Sequence, residues 1–178
     1  SGVAVPRRTR ALRAPNAFGG NFNLEVDLNY LMRIPVWGVT NRPPYPLDED
    51  YLFECTTISF EELFAGKIKA LFDRSAARDL FDVCQLSTST FPYDPIKLRK
   101  AVILFGITGD ADWRKKDFST IDEIDKKMID EQLNPLLRSK EPLDIDVMKK
   151  TAYSFLTNLL SYDDRELLFM SRFFEEGI

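Results

Sequence analysis

Histidine is absent from the 178 residues, and cysteine occurs only twice, as Cys55 and Cys84. Without imidazole there is no Ser-His-Asp or Cys-His nucleophile, no His-ligated zinc or haem, and no His general base near neutral pH. Carboxylates, Lys, Arg, Tyr, Ser/Thr and Cys are left to do any chemistry. Two thiols can build neither an all-Cys zinc site nor a multi-bridge framework, and a chain this long folds without staples. A reduced, intracellular protein is the expectation. No apolar run approaches the roughly 18 residues of a membrane span, and no charged-then-apolar leader opens the chain. The sequence therefore reads as soluble and cytoplasmic, with no membrane partner.

The chain is 29% charged with a formal net charge of −4, but the charge is unevenly placed. Residues 1 to 24 hold Arg7, Arg8, Arg10 and Arg13 and no acid. A basic arm on an acidic body can touch phosphate locally, although a solvated extension is the simpler reading. Residues 1 to 21 lack periodicity and are expected to be irregular up to a Gly19-Gly20 turn. From Phe22 to Tyr30 the pattern alternates strictly, with Phe22, Leu24, Val26, Leu28 and Tyr30 on one face and Asn23, Glu25, Asp27 and Asn29 on the other. That predicts a half-buried strand bearing two carboxylates on its polar face. The stretch Arg42-Pro43-Pro44-Tyr45-Pro46 cannot sit in a central strand, because three residues lack the donor N–H. It reads as a loop leading to a short strand near 51–56.

Ser59-Phe60-Glu61-Glu62 has the form of a capping box, so a helix is expected from there to about Phe72. A second helix fits Ala76 to Leu86, forming a tight hairpin with the first. Downstream, 95–105, 120–133, 145–160 and 163–174 show helical spacing. Phe169, Phe173 and Phe174 read as ordinary helix core. Trp37 and Trp113 read as packing or loop anchors rather than base-stacking platforms, and Lys115-Lys116 and Lys126-Lys127 as solvated faces. The fold class is accordingly α+β, with a sheet-bearing part and its basic arm at 1–58 and a helical domain at 59–178.

The hairpin carries the most informative charges. With Phe60 at zero and about 100° per residue, Phe60, Leu63, Phe64, Ile68 and Leu71 share an apolar sector in which Lys67 lies at about 340°. Arg74 falls in the same sector, while Lys69 points away and is expected to be exposed. A Lys inside an apolar face needs a snorkelling stem, a carboxylate or a phosphate. On the second helix Asp79 falls between Leu86 and Val83 and turns inward. Asp82 lies at the flank, one turn from Arg78 and placed for an i to i+4 pair. Asp79 is expected to pair with Lys67 or Arg74, and contact with Lys67, direct or through one bridging group, is the specific expectation. A buried ion network locking the hairpin would by itself account for these charges.

The run Glu61-Glu62-Leu63-Phe64-Ala65-Gly66-Lys67-Ile68-Lys69-Ala70-Leu71, followed by Arg74 and Arg78-Asp79-Leu80-Phe81-Asp82, resembles the AbiEii-type nucleotidyltransferase toxins of bacterial abortive-infection and type IV toxin–antitoxin systems. The strand Glu25-Val26-Asp27-Leu28-Asn29-Tyr30, the following Arg33-Ile34-Pro35, and the tail from Phe155-Leu156 to Ile178 are similar as well. The resemblance runs over about residues 16–178 and is strongest over 58–86.

Such a resemblance implies a partial nucleotidyltransferase-type sheet followed by a mostly helical body. It implies a transfer of a nucleotide from an NTP, with Mg²⁺, to an RNA acceptor such as a tRNA 3′ end, and a cognate antitoxin protein. Lys67 and Asp79 would be catalytic, with Lys67 near the triphosphate and Asp79 organising the site. Lys67, Arg74, Arg78 and Asp82 would bind the nucleotide, and Asp27, with Glu25 second, would ligate metal. One departure is plain: the fold's Gly-Ser turn followed by Asp-x-Asp on a strand is not found. No Gly-Ser dipeptide occurs, and 48–50, 110–112 and 144–146 carry Asp-x-Asp or Asp-Glu-Asp in other contexts. Gly19-Gly20 before Glu25-Val26-Asp27 is too close a spacing and lacks the hydroxyl. The chain is thus expected to open inside the domain and to transfer nothing by itself. The alternative is a non-catalytic nucleotide- or partner-binding module retaining the fold. A nuclease using Glu25, Asp27 and Lys67 is the least favoured reading.

Overall fold

The structure is a computed structural model and describes residues 8–15, 21–28, 34–42, 54–108, 112–115, 117–137 and 143–177. The chain divides into two compact units, Ser1–Gly38 and Val39–Ile178. In the first, strand β1 (Arg8–Pro15) pairs antiparallel with β2 (Asn21–Leu28), so that Thr9 faces Asp27, Ala11 faces Glu25 and Arg13 faces Asn23. The expected strand is therefore present as β2. Residues 29–30 and Gly19-Gly20 lie outside the described residues. The basic segment is not irregular where it is described, because Arg8, Arg10 and Arg13 belong to β1. Its sequence lacks alternation, and the pairing that makes it a strand comes from β2, a non-local cause that local pattern does not report. Pro15 ends the strand, where a missing N–H is tolerated.

In the second unit, β3 (Val39–Arg42) pairs antiparallel with β4 (Cys55–Ile58), and the Thr56 hydroxyl donates to Asn41 Oδ1 at 3.0 Å. The strand expected near 51–56 is thus described as 55–58, and β3 was not foreseen from its four residues. Gly38, just before β3, takes the left-handed φ of 81° that favours glycine.

Helix α1 (Phe60–Asp73) begins at Ser59, whose hydroxyl accepts the Glu62 N–H at 3.2 Å, as the capping pattern requires. Helix α2 (Ala77–Thr88) follows, and its Leu80, Val83 and Leu86 are buried against the rest. Helix α3 (Pro95–Ile107) starts on Asp94, which accepts from the Ile96 and Lys97 amides. Pro95 stands at the first turn, where it has no N–H to lose. Leu98, Ala101 and Val102 are fully buried, Phe105 nearly so, and the helix packs on α1. Each fully buried Leu, Ile or Val contributes roughly 2 kcal/mol.

The helix expected over 120–133 is broken into α4 (Ser119–Asp122), α5 (Lys126–Met128), a wide π-type turn at Ile129–Leu133 and a 3-10 turn at Asn134–Leu136. Asp125 accepts the Met128 N–H at 2.8 Å and so restarts the helix as a cap, a competition with backbone bonding that apolar periodicity does not show. Pro135 disfavours helical backbone at the residue before it. Helix α6 (Ile145–Leu159) packs on α2, and α7 (Asp164–Glu176) closes the unit.

Helix α7 opens with a complete capping box. Asp163 accepts the Glu166 N–H at 2.8 Å, and Glu166 Oε2 accepts the Asp163 N–H at 3.0 Å. The same Glu166 carboxylate is 7% exposed and takes Arg99 Nε at 2.9 Å, tying α7 to α3. Arg114, in the 3-10 turn Trp113–Lys115, reaches Asp112, Ser171 and Glu175 and lies over the Phe174 ring. Trp113 is buried and meets Phe72 edge-on at 4.7 Å, as a packing anchor should. The aromatic tail differs from expectation: Phe169 is 50% exposed and Phe173 and Phe174 are half-buried. On α7 the buried residues are Glu166, paired with Arg99, and the fully buried Met170, so the packed side of the helix is not the aromatic one.

Candidate functional site

The α1–α2 hairpin brings together the cations and carboxylates singled out in the sequence. Lys67 Nζ lies 2.9 Å from Asp82 Oδ2, with side chains 45% and 34% exposed. Arg74 caps the end of α1 in extended backbone, which swings its side chain forward onto α2. Its Nε donates to Asp79 Oδ2 at 2.7 Å and its Nη2 to Asp79 Oδ1 at 3.1 Å. The Asp79 side chain is 1% exposed while that of Arg74 is 53% exposed. The fork raises the Arg74 pKa above its ordinary value through that hydrogen bond, so the guanidinium is charged at every working pH.

Asp79 turns inward, as its wheel position predicted, and pairs with Arg74 rather than Lys67. Lys67 and Lys69 exchange the roles expected of them. Lys67 is the exposed one, and Lys69 is half-buried, paired with Asp73. The buried side of α1 is Glu62, Ala65, Ile68 and Leu71. Its centre is rotated by about 110° from Phe60 at about 100° per residue. Leu63 is 46% exposed, so the large apolar residues do not define the packed face. The small Ala65 does, because α3 comes close there. Gly66 lies beside it, and a Cβ added to it would meet Phe105 at 3.7 Å. The expected Arg78–Asp82 pair is replaced among the described residues by Lys67–Asp82, and Arg78 is exposed.

Chemically, Asp79 occupies Nε and one Nη of Arg74 and leaves the other terminal nitrogen, Nη1, with its donors directed away from the fork. A guanidinium so oriented is prepared to receive a phosphate oxygen. Lys67 is held by one exposed ion pair, which exchanges easily with another anion. Among the described residues, no three Asp, Glu or Cys side chains come together as ligands for a metal ion. Asp79 and Asp82 each carry a cation already, so the hairpin does not fit a divalent ion. Glu25 and Asp27 lie in β2, opposite Ala11 and Thr9, with side chains outside the described residues. No helix among the described residues is long and apolar enough to cross a membrane.

Two antiparallel strand pairs followed by a helical body make an α+β chain of nucleotidyltransferase-like class. The family model for the AbiEii nucleotidyl transferase toxin of type IV toxin–antitoxin systems matches residues 3–163, and the chain belongs to that family. Membership implies a nucleotide substrate and an antitoxin partner. Neither a curated protein nor a solved structure matches the chain.

Proposed function

We propose that the chain is a nucleotidyltransferase-like protein of the AbiEii type, which passes a nucleotide from an NTP to an RNA acceptor such as a tRNA 3′ end when the Gly-Ser and Asp-x-Asp segment that this sequence does not contain is supplied to it. In that reaction an acceptor hydroxyl attacks the α-phosphate, a new phosphodiester forms, and pyrophosphate leaves. The observation that supports it is the Arg74–Asp79 fork beside the exposed Lys67–Asp82 pair. Lys67 and Arg74 would bind the triphosphate oxygens, with Arg78 adding charge at the rim. Asp79 would fix the guanidinium, and Asp82 would hold Lys67 until phosphate displaces it. Mg²⁺ is the cation proposed for this chemistry, with Asp27 and then Glu25 as candidate ligands from β2.

The test is incubation with labelled NTPs, Mg²⁺ and total tRNA, with and without a segment carrying the Gly-Ser and Asp-x-Asp motif joined to the chain, alongside direct NTP binding; the chain alone is expected to transfer nothing. Label transfer to RNA that is lost in Lys67→Ala and Arg74→Ala, with Lys69→Ala unaffected, supports the reading. A second reading is a non-catalytic module that binds nucleotide or a partner. It is favoured by the engagement of both hairpin carboxylates by cations. NTP binding with no transfer to any acceptor even when that segment is supplied decides for it.

A further inference from the structure

The helical unit holds a cavity of about 190 Å³, walled by Leu160 and by the rings of Phe72, Trp113 and Phe118. The Phe72 and Trp113 planes stand at 62° with centroids 4.7 Å apart, and the Phe72 and Phe118 planes at 27° and 5.6 Å. The three rings therefore form a corner and not a flat wall. Asp112, Asp117, Ser119 and Thr120 supply the polar part of the lining, and no Lys or Arg among the described residues joins it. Asp112 is engaged through both oxygens by Arg114, whose guanidinium also reaches Ser171, Glu175 and the Phe174 ring, so that pair is neutral. Asp117 is exposed, accepts the Ser119 N–H at 2.9 Å, and forms no ion pair among the described residues. The Ser119 backbone and side chain hold its carboxyl below the ordinary range, so it is ionised at neutral pH. Lys115 is exposed and Lys149 donates to the Asp122 carbonyl, and neither lines the cavity. Two helices also present their C-terminal ends to it. Phe72 is in the last turn of α1 and Leu160 caps α6, and neither last turn holds a basic residue. Arg74, next after α1, is committed to Asp79. Such ends carry partial negative charge, which favours a cation. Thr120 Oγ1, in the same wall, is buried without a hydrogen-bond partner among the described residues, so one acceptor is left unused there.

We infer that this cavity binds a small protonated amine, a primary ammonium group carried on a compact apolar body. The ammonium would meet Asp117 and the negative helix ends, and a turn of the Thr120 side chain about χ1 would add its hydroxyl as a further acceptor. The apolar body would lie in the corner of the three rings, which attract a cation placed over them. A nucleotide does not fit here, since its phosphates would face Asp117 with no cation in the wall to receive them. The cavity takes none of Lys67, Arg74, Asp79 or Asp82 into its lining, so amine binding is independent of the nucleotide reaction proposed for the α1–α2 hairpin.

The probe is benzylammonium at pH 7, with benzyl alcohol as its neutral match in size, titrated by calorimetry and by fluorescence into the full chain carrying Trp37→Phe, so that Trp113 alone reports. The expected result is a saturable change in Trp113 emission, with the ammonium binding about tenfold more tightly than the alcohol. Asp117→Asn keeps an acceptor for the Ser119 amide. It should weaken the ammonium by about fivefold or more and leave the alcohol and the urea melt unchanged. Phe118→Leu keeps apolar volume and removes one ring, so it should weaken the ammonium more than the alcohol. Absence of saturable ammonium binding, equal affinity for the two probes, or ammonium binding that both variants leave unchanged would overturn the inference.

Discussion

Arg74 holds Asp79 through two nitrogens, at 2.7 and 3.1 Å, across the turn that joins α1 to α2, with the carboxylate buried and the guanidinium half in solvent. Removing the cation strands a buried charge, whereas removing Lys67 releases a carboxylate that water already reaches. Arg74→Ala is expected to destabilise the fold by about 2 kcal/mol, discounted for the exposure of the arginine. Lys67→Ala is expected to change stability by less than about 1 kcal/mol. Urea melts of the two variants check this. Equal losses would mean that the hairpin does not depend on the fork.

Cys84 supplies a pH dependence of stability. Its thiol is buried, donates to the Met148 carbonyl at 3.1 Å, and is pushed up from 9.0 to about 11, mainly by burial, with the Ala152 backbone acting in the opposite direction. An acid whose pKa is higher in the folded state favours folding while protonated. That stability is complete below pH 9 and is lost as pH rises through about 11. The loss is at most about 3 kcal/mol for this one group. Melts between pH 8 and pH 11 should show a decline that Cys84→Ala reduces, the remainder above pH 10 coming from Tyr153 and Tyr162, whose hydroxyls burial also pushes up. A thiol reagent at pH 8 should label the exposed Cys55 and leave Cys84 unreacted.

The hairpin was legible because capping chemistry and periodicity agree on it: Ser59 begins α1, and Asp79 turns inward where the wheel puts it. The partner of each charge was not legible. The wheel was centred on Phe60 and Leu63, while helix packing selected the face of Ala65 and Ile68, a property of α3 and not of α1. β1 depends on β2, and β3 on β4 across the Pro-rich stretch, so neither announces itself locally. Phe169 looks like core by composition, and the structure leaves it half in solvent because the packed side of α7 is that of Glu166 and Met170, from which Phe169 is turned by about 80° at about 100° per residue.

The Arg99–Glu166 pair joins α3 to α7 with side chains 17% and 7% exposed, and Glu166 also completes the cap. Arg99→Met should cost about 3 kcal/mol, since it leaves a buried carboxylate without its cation. Adding Glu166→Gln removes that charge and keeps an acceptor for the Asp163 amide. The double variant is expected to be more stable than Arg99→Met alone, a coupling that a double-mutant cycle in urea measures directly. Strict additivity would show that the two side chains do not sense each other.

Gly106 gives the sharpest packing test, because two opposing effects act at one atom. It lies inside α3, where alanine is the better helix former by about 1 kcal/mol. A Cβ at that position, however, would come within 2.6 Å of Trp113 Cδ2 and 2.8 Å of Cε2. The indole has little room to swing aside: it is 8% exposed and packed edge-on against Phe72, while the Tyr162 hydroxyl holds the Trp113 backbone carbonyl at 3.2 Å. Overpacking of this kind costs about 1–3 kcal/mol, which exceeds the gain in propensity. Gly106→Ala should therefore destabilise the chain and shift its tryptophan fluorescence. Replacing Trp113 with Phe in the same background should relieve the clash and recover part of the loss. A Gly106→Ala chain as stable as the parent would show that Trp113 is free to move, and that α3 does not need glycine for the close approach.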